Sequence, residues 1–149
     1  MTTDLTSQQC QEILAENHYG HLGCVDGEEV YVVPITYLYQ DGFLYGFTRK
    51  GHKIDLLKKN PRMCVQVENI VSGEEWKSVI CWGFFEEVTD PKSVQDIKLL
   101  LGEEFGQILI AEEKMPVSPM IKNLHLQHTN GSVIYRMKPY RMTGKSETK

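Results

Sequence analysis

Residues 30–61 read VYVVPITYLYQDGFLYGFTRKGHKIDLLKKNP, and the order of elements inside them decides the fold. Val30 to Tyr39 is rich in β-branched and aromatic residues, which suit a pleated strand. Asp41-Gly42 supplies a hairpin turn, because both residues tolerate the positive φ that such turns require. Phe43 to Thr48 is the returning strand. Arg49, Lys50, Gly51, His52 and Lys53 then lead into Ile54, Asp55, Leu56 and Leu57, a helical pattern stopped by Asn60-Pro61. The stretch predicts strand, turn, strand, basic loop and helix.

Two marks on this stretch point to a ligand. The first is charge. The 149-residue chain carries a net charge of −4, yet residues 49–62 hold six basic side chains against Asp55 alone, +5 with His52 neutral. A helix start leaves backbone N–H groups unpaired and presents the positive end of the helix dipole, so it favours an anion. Gly51 allows close approach to the backbone. Glycine, cations and helix start together point to a phosphate, while a solvated basic surface is the alternative reading. The second mark is Pro34. Proline cannot donate to a ladder, so it belongs at an edge, a strand start or a bulge. A strand interrupted there can bond a flat polar heterocycle through its backbone; an edge strand protected by proline fits the same residues equally well.

Outward from this stretch, the chain alternates strands and short helices. Thr6 with Gln9 three residues later matches a capping box, and Cys10, Ile13 and Leu14 form the apolar stripe of a helix ending at Glu16. His18 to Val25 is a strand whose glycines suggest bending or close backbone approach; His18 and His21 read as structural or exposed. Arg62 to Val71 and Trp76 to Thr89 are further strands, the second with a kink at Gly83 of the kind a small sheet needs to close. Lys92 to Leu101 is a helix. "EEFGQILIAEE" admits helix or strand. His125 and His128, three apart, read as a surface pair or as two ligands of an incomplete metal site. Ser132 to Met142 is the last strand, and Thr143 to Lys149 a flexible tail.

Composition narrows the class. The chain is 41% hydrophobic and 24% charged, ordinary for one globular domain over residues 1–149. The acidic balance argues against nucleic acid, and no apolar window is long enough for a membrane helix. Met1 to Ser7 carries no signal-peptide core, which predicts a cytoplasmic protein. Cys10, Cys24, Cys64 and Cys81 form no CxxC pair and sit in apolar settings, so reduced buried thiols are expected and no metal site. The pattern of about six strands with helices between them suits a mainly β fold with helices (a β-barrel of α+β character), an antiparallel Greek-key arrangement. An open α+β sandwich is the alternative.

The run VVPITYLYQDGFLYGFTRKGHKIDLLKKNPRMCVQVE, followed by SVICWGFFEEVTDP and later by VIYRMKPYRMTGK, resembles the FMN-binding split-barrel family. That family contains pyridoxamine 5'-phosphate oxidase and, closer in length and pattern, the nitroimidazole-resistance-type proteins. The resemblance implies a six-stranded split barrel, a homodimer, and FMN held at the subunit interface. It implies that Val33, Pro34, Ile35 and Thr36 lie beside the isoalloxazine ring, with Phe47 and Thr48 as the second-strand contact. Gly51, His52 and Lys53 fall at the phosphate. Ser78 stands where the oxidases place a glutamine, and Trp82, on the same strand, can pack on the ring. His52 replaces the commoner arginine, and Phe47 replaces a histidine found in many nitroimidazole-resistance-type members. The residues that grip vitamin B6 are not evident near the C-terminus.

The implied activity is an FMN-dependent oxidoreductase that passes hydride or electrons to an unknown small molecule, with NADH, NADPH or another reductant as donor. Such chemistry belongs to the flavin, and no catalytic side chain is assigned. The alternatives are a non-catalytic flavin- or haem-binding sensor on the same scaffold, with His125 and His128 as haem candidates, and a deazaflavin-dependent reductase.

Overall fold

The computed structural model describes residues 1–111 and 132–148. Within them lie nine strands: β1 (Thr2–Asp4), β2 (Tyr19–Asp26), β3 (Glu29–Gln40), β4 (Phe43–Arg49), β5 (Arg62–Ser72), β6 (Glu75–Phe84), β7 (Glu86–Glu87), β8 (Ser132–Met137) and β9 (Arg141–Glu147). They form one antiparallel sheet in the order β1-β9-β6-β5-β2-β3-β4-β8-β7. Three helices accompany it, α1 (Ser7–Glu16), α2 (His52–Lys59) and α3 (Pro91–Ala111).

The hairpin at the centre forms for the reason its sequence gives. Asp41 (φ 53°) and Gly42 (φ 82°) both take positive φ, the combination of a two-residue turn whose twist matches the flanking strands. β3 then serves two neighbours. It pairs with β2 from Glu29 to Thr36 and with β4 only from Tyr37 to Gln40. β4 continues past that point against β8, from Leu44↔Met137 to Arg49↔Ser132.

The strand count differs from the expected six. Trp76 to Thr89 breaks at Phe85, whose N–H donates to the Pro61 carbonyl at 2.7 Å, so one long strand becomes β6 and β7. The last strand likewise breaks at Lys138–Tyr140, around Pro139, into β8 and β9. Residues 143–147, read from the sequence as a loose tail, belong to β9 and pair with both β6 and β1. The Met1 ammonium meets Glu147 at 2.7 Å and Lys145 meets Asp4 at 2.6 Å across that seam. The helix over Lys92–Leu101 is longer than expected and runs to Ala111; His125 and His128 lie outside the described residues.

Two apolar clusters flank β4. Leu44 faces the larger one, with Leu22, Tyr37, Val65, Val79 and Tyr135. Phe47 faces the smaller one beneath α3, with Leu38, Ile97, Leu101 and Ile134. α1 seats Cys10, Ile13 and Leu14 on the larger cluster, started by the Thr6–Gln9 capping box. All four cysteines are free thiols, and burial pushes Cys81 up to about 12.

The Tyr37 hydroxyl donates to the Leu14 carbonyl at 2.7 Å, a buried bond that ties the end of α1 to β3. Tyr37→Phe leaves that carbonyl without its donor and should cost about 1–2 kcal/mol. For a chain of this size, thermal unfolding should shift down by roughly 3–6 °C; an unchanged midpoint would show that the bond contributes nothing.

Candidate functional site

Where β3 and β4 part, a cleft of about 590 Å³ opens. The hydrogen-bond phase of β3 shapes its wall. Tyr37 N–H donates to the His18 carbonyl at 2.9 Å, so Tyr37, Ile35 and Val33 turn their backbone groups toward β2. Pro34 and Thr36 turn theirs to the other side, toward the end of the β3–β4 ladder at Tyr37↔Gly46, with Pro34 beyond its last rung. Proline suits this position because no ladder partner asks for its N–H. Pro34, Ile35 and Thr36 line the cleft on one side and Phe47, Thr48 and Arg49 on the other.

The sheet face beside the split supplies a polar wall. Pro34, His21 and Gln66 stand in one cross-strand row. Tyr19 and Gly20 of β2 and Glu68 of β5 also line the cleft. The Gln66 side-chain amide donates to Glu68 Oε2 and to Ser78 Oγ, both at 3.0 Å, which leaves its oxygen as an acceptor.

Lys53 is the charged feature of the opposite end. It stands on the first turn of α2 and lines the cleft. Among the described residues no carboxylate lies within ion-pair distance of its ammonium. Burial holds its pKa below the usual lysine range, with a small opposing effect from the Cys24 side chain. α2 begins at Gly51 without a side-chain cap, so its first N–H groups have no side-chain acceptor.

The structure thus brings together Pro34, Ile35, Thr36, Phe47, Thr48 and Lys53 of the residues singled out in the sequence. It places the others off the cleft wall. Val33 packs toward the larger core. Gly51 precedes α2 in open space, with no atom within 4 Å of where a Cβ would stand. His52 leans to the β2–β3 hairpin, its Nε2 3.3 Å from Asp26 Oδ2 and its ring edge-on to Tyr31 at 5.0 Å. Ser78 is one hydrogen bond removed from the cleft, through Gln66. Trp82 lies farther along the face, under the Arg141 guanidinium at 4.7 Å, in a shallower groove of about 260 Å³.

Sequence reasoning did not select Tyr19, Gly20, Gln66, Glu68 or Tyr135. Strand alternation puts Gln66 and Glu68 on the face opposite Val65 and Val67, but only the β2–β5 register brings them to the split. Arg49 belongs to the basic run and His21 reads from the sequence as structural or exposed; both line the cleft. Among the described residues no group of His, Cys, Asp and Glu could hold a metal ion, and no helix is long and apolar enough to cross a membrane.

Comparison with known proteins agrees with this architecture. A family model described as pyridoxamine 5'-phosphate oxidase matches residues 6–146. An uncharacterized protein of Rhizobium meliloti (strain 1021) is 33% identical over 84 residues, covering 56% of this chain and 56% of its own length. The chain therefore spans little more than half of that relative. The crystal structure of a FAD-binding protein from Mesorhizobium loti is 27% identical, with a TM-score of 0.79 and 99% of each chain covered. A Bacteroides thetaiotaomicron structure named for 5-nitroimidazole antibiotic resistance shares the fold at 19% identity and a TM-score of 0.64, over 98% of this chain and 89% of that one.

A half-buried ammonium with no carboxylate partner among the described residues should destabilise the ligand-free protein. Lys53→Met keeps the aliphatic stem and removes the charge, so at pH 7 and without ligand it should unfold at higher denaturant, a gain of about 0.5–1 kcal/mol. Because the folded-state pKa lies below the unfolded value, the wild type gains stability as pH rises through the window between them. The advantage of Lys53→Met should therefore shrink toward pH 10.5. A variant less stable than wild type at pH 7 would mean the ammonium is already compensated.

Proposed function

The chain belongs to the pyridoxamine 5'-phosphate oxidase family of FMN-binding split-barrel proteins, and we propose that it is an FMN-dependent oxidoreductase acting on a small molecule. The observation that carries this reading is Lys53: a half-buried cation with no carboxylate partner among the described residues, at one end of a cleft whose other walls combine strand backbone, the apolar side chains of Pro34, Ile35 and Phe47, and the polar side chains of His21, Gln66 and Glu68. A flat ring bearing a phosphate on a flexible tether has that distribution of charge and shape, and the volume lies within the range of small-ligand sites.

In this reading Lys53 and Arg49 take the phosphate beside the uncapped start of α2. Pro34–Thr36 and Phe47–Thr48 flank the ring, with strand backbone at its polar edge. Gly51 leaves room for the phosphate to approach. His52, held by Asp26, acts from the rim. The flavin, when bound, supplies hydride or electron transfer, with NADH, NADPH or another reductant as donor. The chain's own part is to bind, orient and shield. Phe47 cannot move a proton, so proton delivery does not pass through that position.

A second copy of the chain completes the site. The sheet face beside the cleft divides along its strands. Its polar half is the cleft wall. Its apolar half carries Val30 (78% exposed), Val32 (57%), Phe84 (52%) and Tyr140 (66%). Apolar surface of this kind marks an interaction site, and two-fold pairing is the commonest way to cover it. Laid on this half, the partner borders the cleft, so flavin sits at the subunit interface. A single domain curled as a split barrel, working in the cytoplasm with its thiols reduced, fits the same picture.

The purified protein should be yellow, or take up FMN with quenching of its fluorescence, and should sediment as a dimer. Lys53→Ala should weaken FMN binding by roughly ten- to a hundredfold, the loss of one charge-assisted hydrogen bond. Titration with FAD and with haem in parallel identifies the group preferred. Wild-type protein that binds no flavin at micromolar concentration, or a variant with unchanged affinity, would overturn the assignment.

A further inference from the structure

Gly46 is flanked by two buried tyrosines, Tyr37 across the β3 ladder and Tyr135 across the β8 ladder. Their surroundings differ in one respect. The Tyr37 hydroxyl is engaged by the Leu14 carbonyl. The Tyr135 hydroxyl has no hydrogen-bond partner among the described residues. Only its ring is engaged, by Phe85 at 5.6 Å between centroids.

A side chain that is 99% buried has a strong reason to be phenylalanine when its hydroxyl meets no protein acceptor, since a sealed and unpaired hydroxyl costs about 1–3 kcal/mol. The hydroxyl is not sealed. No buried side-chain oxygen or nitrogen among the described residues lacks a partner, so the unpartnered hydroxyl keeps a sliver of exposed surface, and the cavity that Tyr135 lines is the cleft. Gly46 makes this reach available. The Tyr135 ring lies across it, and a Cβ there would overlap the Cζ and the hydroxyl oxygen. The ring thus passes over the last rung before β3 and β4 part, while Arg49 and Lys53 stand at the far end of β4 and beyond.

We propose that the Tyr135 hydroxyl is a ligand contact at the floor of the cleft, donating a hydrogen bond to an acceptor atom on the edge of a bound planar heterocycle. The proposal rests on the flavin reading above and names a residue that holds the ring rather than the phosphate. Burial also pushes the phenol well above its ordinary range, so it stays protonated and acts as a donor throughout the physiological pH range. A donor fixed against the ring would favour the electron-rich reduced form, so Tyr135 both holds the cofactor and tunes it.

The test compares wild type with Tyr135→Phe, which keeps the ring, its contact with Phe85 and its fit over Gly46. Without ligand the two proteins should melt together, because the hydroxyl makes no bond among the described residues. With FMN, the variant should bind roughly three- to tenfold more weakly, as expected for one lost neutral hydrogen bond. Its flavin reduction potential should move to a more negative value. A variant that binds FMN as tightly as wild type, with the same potential, overturns the role of Tyr135 and leaves the flavin reading standing. A variant that melts well below wild type without ligand shows a structural bond and also overturns it. Wild-type protein that takes up neither FMN nor riboflavin overturns the flavin reading itself, and the role of Tyr135 with it.

Discussion

The ladder between β3 and β4 closes at Tyr37↔Gly46, and beyond that rung each strand finds a different neighbour. β3 stays with β2 and β4 stays with β8. A sheet that continued to pair there would have no interior opening. Pro34 keeps the split from closing, because it has no N–H to offer β4 on the side where the ladder would otherwise continue. The cleft, its backbone-lined wall and its floor all follow from this divergence.

What surrounds the split is costly for an empty protein. Among the described residues a half-buried lysine stands without a carboxylate and a buried phenol hydroxyl without an acceptor, and an apolar sheet face is exposed beside them. Local choices that work against stability tend to gather where a protein binds something. Away from the split, the rules of ordinary folding hold: α1 is capped at both its box positions, its stripe is buried, and the seam between the two chain ends is joined by ion pairs. The contrast between Tyr37 and Tyr135 shows the same division within one residue type.

Much of this was legible in the chain. Asp41-Gly42, Asn60-Pro61 and Thr6 with Gln9 act on their immediate neighbours, so their effect survives without knowledge of the fold. Pro34 could be singled out because it contradicts its local pattern, and Lys53 because a basic run meets a glycine at a helix start. Other features depend on which strands meet. β1 is three residues long and owes its existence to β9. Tyr135 alternates with Val133 and Met137 as any core residue would, and reaches the cleft only because glycine stands opposite it on β4. His52 shows a different limit: spacing put it at the helix start, but Asp26, twenty-six residues earlier, decides where its ring turns.

The most direct test of the whole account is a backbone amide and side-chain NMR titration of the protein with FMN, read residue by residue. The account predicts the largest shifts along the two sides of the split, at Ile35, Thr36, Thr48 and Lys53, and in the ring of Tyr135, with Trp82 and Cys64 in the neighbouring groove changing far less. Shifts that gather instead around Trp82 and Cys64, or amides of residues 35–36 and 47–49 that do not respond at saturating FMN, would contradict it.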